Sequence, residues 1–365
     1  MAGLVDHLTA RVEKLQGTAA RLTMKLPSFT QRAIAKALGF NGNFQNLDTH
    51  LQMLIVVRDL MGGGDLIGKN PDKSRRHFRK EMASIISKPT PVGAVTNWEI
   101  PVNLANLAVR HYTPKLIGYD KTSSKKLPLL VFFHGGGFVV GDLDTHDEPC
   151  RLFCQHAQVQ VLSIAYRLAP EHPAPTAVED CLAALKWAFE HAEDLDIDST
   201  KIAVGGDSAG GNLAAVVSQL TMGTPYAPAA QLLIYPVVDL VNKYPSHAAY
   251  GKGLFLDQSD MDNAKNAYVA SSQLTFSDPR VSPLLGNLAG LPPALLVTAE
   301  LDTLRDEGEM YAVKMREAGS YCIAHRVLGQ GHGFINITSI NRAALQSTRQ
   351  MAHDFRALLD GKLDR

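Results

Sequence analysis

The chain has 365 residues, 45% of them hydrophobic, enough to bury one large core with a smaller added piece over it. Its 36 Lys and Arg balance 36 Asp and Glu, so no net charge draws it to nucleic acid. No apolar run approaches the roughly 20 residues that cross a bilayer, which argues against a membrane-spanning helix.

Met1 to His7 lacks a basic start and an apolar centre, so no signal peptide is expected and the cytoplasm is the default compartment. Residues 1–90 carry fourteen basic against seven acidic side chains, which leaves the rest of the chain acidic. Leu4, Leu8, Val12 and Leu15 recur at helical spacing, and Leu51, Leu54, Ile55 and Arg58 to Leu60 suggest a further helix broken at Met61-Gly62-Gly63-Gly64. The densest basic run, Arg75-Arg76-His77-Phe78-Arg79-Lys80, reads as a solvated helix face; docking to an anionic surface is the sharper alternative. Pro89-Thr90-Pro91 marks a boundary, dividing a helical segment (1–90) from the remainder (91–365).

From Val95 onward strand-like and helix-like runs alternate, the pattern of an α/β fold with a mostly parallel sheet covered on both faces. Leu127 to Phe133 reads as a buried strand running into His134-Gly135-Gly136-Gly137-Phe138. Three glycines after a core strand leave amide N–H groups open to a ligand, as in an oxyanion hole. A phosphate loop would need a lysine and a helix start next, and Phe138-Val139-Val140 supplies neither. Glu179 to His191 reads as a helix with Leu182, Leu185 and Trp187 to Phe189 inward. Cys150, Cys154, Cys181 and Cys322 show no Cys-x-x-Cys and no zinc spacing, so all four are expected as reduced thiols and no metal site is expected.

The strand-like run Lys201 to Val204 meets the helix-like run Asn212 to Leu220 through Gly205-Gly206-Asp207-Ser208-Ala209-Gly210-Gly211. A strand that turns at once into a helix strains the backbone, and Gly206 and Gly210 flank Ser208 where side chains would collide. Ser208 is therefore the candidate nucleophile, with a helix N-terminus behind it to favour developing negative charge. After the strand Leu232 to Pro236 comes a polar, helix-prone insert at about 243–272. Such a serine needs a base and an acid, in the order Ser, Asp or Glu, His for an α/β-hydrolase. The late strand Pro293 to Ala299 places Asp302 just past its end; Asp306, one helical turn on, is the main rival and Glu300 a weaker one. The last strand, Ile323 to Leu328, is followed by Gly329-Gln330-Gly331-His332-Gly333-Phe334, where glycines leave His332 room to swing over the serine. His325 lies within the strand pattern and is the weaker histidine.

His134 to Phe138, Gly206 to Asn212, Tyr166 to Pro175, Asp302 to Gly308 and His332 to Phe334 together resemble the hormone-sensitive lipase family of α/β-hydrolases, in the bacterial esterase branch with the His-Gly-Gly-Gly signature. The resemblance runs from about Pro91 to the C-terminus. It implies an α/β-hydrolase fold, a catalytic triad of Ser208, Asp302 and His332, and an oxyanion hole made by the N–H groups of Gly136, Gly137 and Ala209. His134 and the Tyr166-Arg167 block are then structural supports, and the N-terminal helices and the insert form a helical cap over the serine. The implied reaction is hydrolysis of small carboxylic esters of short to medium acyl chain through an acyl-enzyme, with no cofactor and no metal; a homodimer is compatible with it. Phe255, Leu256, Met53 and Leu54 are candidates to line an acyl pocket. Thr303 stands where the family usually has proline, and the segment before about Leu51 extends beyond the usual family N-terminus. Amide hydrolysis or deacetylation on the same triad is the alternative within hydrolases. A ligand receptor on this fold is the alternative outside them, and the presence of His332 weighs against it.

Overall fold

The apolar runs pair into one eight-stranded sheet in the computed structural model, which describes residues 26–40, 44, 46–60, 63–86, 88–102, 105–116 and 126–363. Its strands are β1 (Ala94–Val102), β2 (Ala105–Thr113), β3 (Leu127–Phe133), β4 (Gln160–Ile164), β5 (Ile197–Asp207), β6 (Gln231–Ile234), β7 (Ala294–Leu301) and β8 (Cys322–Gly331). They lie in the order β1-β2-β4-β3-β5-β6-β7-β8, with β1 and β2 antiparallel to their neighbours and all the rest parallel. Pro128 to Phe133 of β3 and all of β4 and β6 are buried, as parallel strands covered on both faces require. β1 lies at one edge and keeps most of its side chains at least partly exposed, with Pro101 tolerated there because an edge strand has unpaired positions to spare.

The helices among the described residues are α1 (Ser28–Ala37), α2 (Thr49–Leu60), α3 (Pro71–Ile85), α4 (Asp147–Ala157), α5 (Thr176–Glu190), α6 (Ala209–Leu220), α7 (Pro245–Tyr250), α8 (Gln258–Val269), α9 (Arg305–Glu317) and α10 (Arg342–Leu359). α4 packs against α10, and α5 against α6. No helix among the described residues is long and apolar enough to cross a membrane. The helical spacing at Leu4 to Leu15 falls outside the described residues. All four cysteines are free and buried, and burial pushes the Cys322 thiol up to about 12 and the other three further.

Two registers decide what meets at the C-terminal ends of the strands. Phe133 of β3 pairs with Gly206 of β5, so the next residues along each strand, His134 and Asp207, lie side by side. Leu301 of β7 pairs with Gly331 of β8, which brings Asp302 beside His332. Several elements outrun the sequence reading. β5 begins at Ile197 and continues through two glycines to Asp207, and β8 runs to Gly331, because neighbouring strands supply ladder partners that local propensity does not register.

Over these strand ends lie α2, α3 and the α7–α8 insert. α3 starts on Asn70, whose side chain accepts from Lys73 N at 2.9 Å, with Pro71 at the first helical position. Its Phe78, Met82 and Ile85 recur on one helical face and are all buried. Stretch 65–68 is stitched to α8: Ile67 N donates to Asp260 Oδ1 at 2.8 Å, and Asn263 Nδ2 donates to Ile67 O at 2.8 Å. Burial raises the Asp260 carboxyl above its usual range, against the pull of the Ile67 and Asp257 amides.

Candidate active site

Ser208 occupies the turn between β5 and α6 at φ 55° and ψ −119°, a conformation rare for a residue with a Cβ. The turn closes because its neighbours have none: a Cβ on Gly206 or Gly210 would strike the Phe133 carbonyl oxygen. The local pattern alone places the start of the helix at Asn212; it begins at Ala209, because the strain is confined to the serine itself. Ser208 N donates to Ile234 O at 2.9 Å, and Ser208 O accepts from Asn212 N at 3.0 Å.

A continuous chain of side-chain contacts leads away from this hydroxyl. His332 Nε2 lies 2.9 Å from Ser208 Oγ, and His332 Nδ1 lies 2.8 Å from Asp302 Oδ2. The carboxylate can only accept, so Nδ1 carries the proton and Nε2 faces the hydroxyl as an acceptor. Asp302 is buried, and its other oxygen accepts from Leu304 N at 2.9 Å. The ring reaches across β6 and β7 to the serine and is braced by Tyr235, whose ring centroid lies 4.6 Å away. Burial opposes a charged imidazole, yet the Asp302 carboxylate outweighs it and raises His332 above its ordinary value.

The rival residues are committed elsewhere. Asp306 Oδ2 accepts from Ser246 N at 2.8 Å, holding the first turn of α7. Glu300 accepts from Gly329 N at 2.7 Å, and His325 is exposed along β8. Thr303 turns toward the insert: its Oγ1 lies 3.0 Å from Leu256 O and 3.2 Å from Tyr250 O.

The peptide planes around the serine are held from behind. A planar trans peptide points its N–H opposite its C=O, so anchoring the carbonyl aims the amide. Gly135 O accepts from His134 Nδ1 at 2.8 Å, which aims Gly136 N–H. Gly136 O accepts from Val139 N at 3.0 Å and Val140 N at 2.9 Å, which aims Gly137 N–H. Ser208 O, bound by the Asn212 amide, does the same for Ala209 N–H. None of these three amides has a protein acceptor among the described residues. Gly136 takes φ 118° and Gly137 φ 59°, and a Cβ on Gly137 would strike Ile67 Cδ1.

Polar groups beneath the loop complete the support. Asp207 Oδ1 accepts from Gly135 N at 2.8 Å and lies 3.3 Å from His146 Nε2. Burial would push its carboxyl up, but the His146 ring and the Gly135 amide hold it below its usual range. Tyr166 OH donates to His134 O at 2.7 Å, and its ring stacks on the His134 imidazole with centroids 4.3 Å apart. Burial first and His146 second lower His134 to about 4, so that ring stays neutral and donates only from Nδ1. Sequence reasoning left Asp207 and His146 without a role. A carboxylate inside a nest of small residues was the available signal for Asp207; nothing local marks His146.

Gly136, Gly137, Ser208 and His332 line one cavity of about 190 Å³. Leu54, Phe78, Met82, Ile85, Phe255 and Leu256 contribute its apolar walls. Met53 does not reach it and packs instead with Ala35 and Val56 between α1 and α2.

A family model described as the alpha/beta hydrolase fold matches residues 130–336. A carboxylic ester hydrolase, LipN, of Mycobacterium tuberculosis is 39% identical over 370 residues, covering 97% of this chain and 95% of that protein. An ethyl acetate hydrolase of Pseudomonas putida is 38% identical over 273 residues, covering 74% and 84%. The crystal structure of EstE1, a thermostable carboxylesterase cloned from a metagenomic library, superposes with a TM-score of 0.74 at 39% identity, over 80% of this chain and 98% of that one.

The Tyr166 hydroxyl bond gives a direct test of the support under the loop. Tyr166→Phe leaves the buried His134 carbonyl without that partner, and the unfolding free energy should fall by about 1–2 kcal/mol in urea titrations. An unchanged midpoint would mean that the bond carries no stability.

Proposed function

The chain belongs to the α/β-hydrolase family, in its hormone-sensitive-lipase-like branch of esterases, and is a carboxylic ester hydrolase; from that premise we propose that Ser208, His332 and Asp302 are its triad. Ser208 Oγ attacks the ester carbonyl carbon while His332 Nε2 takes the hydroxyl proton. The tetrahedral oxyanion is received by the N–H groups of Gly136, Gly137 and Ala209. Collapse expels the alcohol, which leaves with the proton from His332, and an acyl-Ser208 remains. Water then attacks the acyl carbon as His332 takes its proton; returning it to Ser208 releases the acid. Asp302 holds the ring in its tautomer and stabilises the transient imidazolium. Every proton moves through His332, so the scheme calls for neither metal nor organic cofactor. The observation that carries the reading is the unbroken contact from Ser208 Oγ through His332 to Asp302, at 2.9 Å and 2.8 Å.

We read residues 1–90 and the insert at about 243–272 as a cap over the catalytic part, 91–365, and the cavity beneath it as the seat of a short to medium acyl chain. Support comes from its walls: Leu54, Phe78, Met82 and Ile85 from the first segment face Phe255 and Leu256 from the insert. Such walls favour an alkyl chain by burial but close its length.

Three measurements test these readings. Ser208→Ala should lower kcat on a p-nitrophenyl short-chain ester by about 10⁶, and Asp302→Asn by about 10⁴. Asp306→Asn should instead cost stability and keep turnover within about tenfold, since its carboxylate serves the Ser246 amide. Comparable losses in both aspartate variants would overturn the assignment of the acid. A protonated His332 cannot accept the serine proton, so kcat/KM should fall as pH drops through its pKa, at a midpoint above about 6.5. A midpoint well below that value would contradict the ion pair. Across acyl lengths, butyryl and hexanoyl esters should outrun palmitoyl ones, and Phe255→Ala should shift preference toward longer chains; a palmitoyl optimum in the parent enzyme would sink the pocket assignment.

A further inference from the structure

Two arginines of the basic run on α3 are engaged within the molecule, while Arg76 and His77 are exposed. Arg75 Nε donates to Val139 O at 2.8 Å, and its Nη2 donates to Ala169 O at 2.9 Å. The same guanidinium grips Glu171 with both terminal nitrogens, at 3.0 Å and 2.6 Å. One turn on, Arg79 Nε donates to Asp142 Oδ2 at 2.6 Å. Glu171 is exposed, so that ion pair is screened and carries little by itself. The two carbonyls belong to buried residues, each about 1% exposed, and depend on a protein donor.

Val139 sits at a decisive point. Its N–H, with that of Val140, holds Gly136 O and so aims Gly137 N–H. Its own C=O is held by Arg75. Beside it, Ala169 N donates to Phe138 O at 2.9 Å, and Arg75 adds a second tie between the two segments by bridging Val139 O and Ala169 O. A planar fork reaches three acceptors in different directions, which a single ammonium does not.

We propose that Arg75 is a positioning residue for ester hydrolysis: from the N-terminal helical segment it fixes the loop that presents the Gly136 and Gly137 amides to the oxyanion. The inference rests on the reading of those amides as oxyanion donors. It makes α3 more than a lid, because the helix that walls the acyl cavity with Phe78, Met82 and Ile85 also sets the geometry of the reacting centre.

Arg75→Ala and Arg75→Lys, with the exposed neighbour Arg76→Ala as control, separate this from a role in folding or surface binding. Loosening the loop by about an ångström should lower kcat for p-nitrophenyl butyrate about 10–100-fold while KM stays within about threefold. Affinity for an alkyl boronic acid, whose tetrahedral adduct uses the same amides, should fall in parallel. Arg75→Lys should retain most of the defect, Glu171→Gln should show little of it, and Arg76→Ala none. The proposal is overturned if kcat holds while KM rises, if lysine restores full turnover, or if the loss disappears when assayed well below each variant's melting temperature. Should Arg75→Ala fail to fold, the lysine and Glu171→Gln variants carry the same contrast. Hydrolysis surviving in Ser208→Ala would overturn the triad reading whatever Arg75 does, so the two failures are distinguishable.

Discussion

The site depends on one close approach, the β5–α6 turn pressed against the end of β3. Gly206 and Gly210 both lie where any Cβ would hit the Phe133 carbonyl, so the two strand ends meet backbone to backbone. The register that pairs Phe133 with Gly206 then places the His134–Gly137 loop beside Ser208. Strain at Ser208 is tolerated because the surrounding strands over-determine it: its amide is bound to β6, and its carbonyl to α6.

From that contact outward, a set of buried polar side chains holds the loop that faces Ser208. Asp207, His134, Tyr166 and His146 are all buried; the first three bond the peptides on either side of Gly135, and His146 lies against Asp207 from behind. Buried polar groups of this kind are costly unless satisfied, and satisfied they leave the backbone few alternative conformations. In the proposed mechanism the loop therefore presents its amides without reorganisation when charge develops, which is where such donors are worth most.

The overlying helices are tied to the same framework. Thr303, Asp306 and Glu307, in the residues that follow Asp302, hold the Leu256 carbonyl, the Ser246 amide and the His247 ring of the insert. Ile67, whose backbone is fastened to α8, rests on Gly137. The overlying helices and the loops at the strand ends thus share hydrogen bonds, and Arg75 and Arg79 of α3 are part of that linkage.

Legible along the chain alone is the local chemistry that does not depend on partners. Glycines around Ser208, glycines after β3, and a histidine among glycines after β8 each encode a backbone conformation that few other residues permit. The order of apolar runs between them encodes a parallel sheet. Which polar group faces which is set by the packing of distant segments. Asp302, Asp306 and Glu300 are close in sequence, and the pairing of Leu301 with Gly331 brings the first of them to His332 while the others serve the insert and the Gly329 amide. In the same way Arg75 and Arg76 read alike as members of one basic run, and Arg75 finds carbonyls from segments 64 and 94 residues away. Periodicity states which side of a helix a residue occupies; the acceptor it meets is set by how distant strands and loops pack, and that is not written in the local pattern.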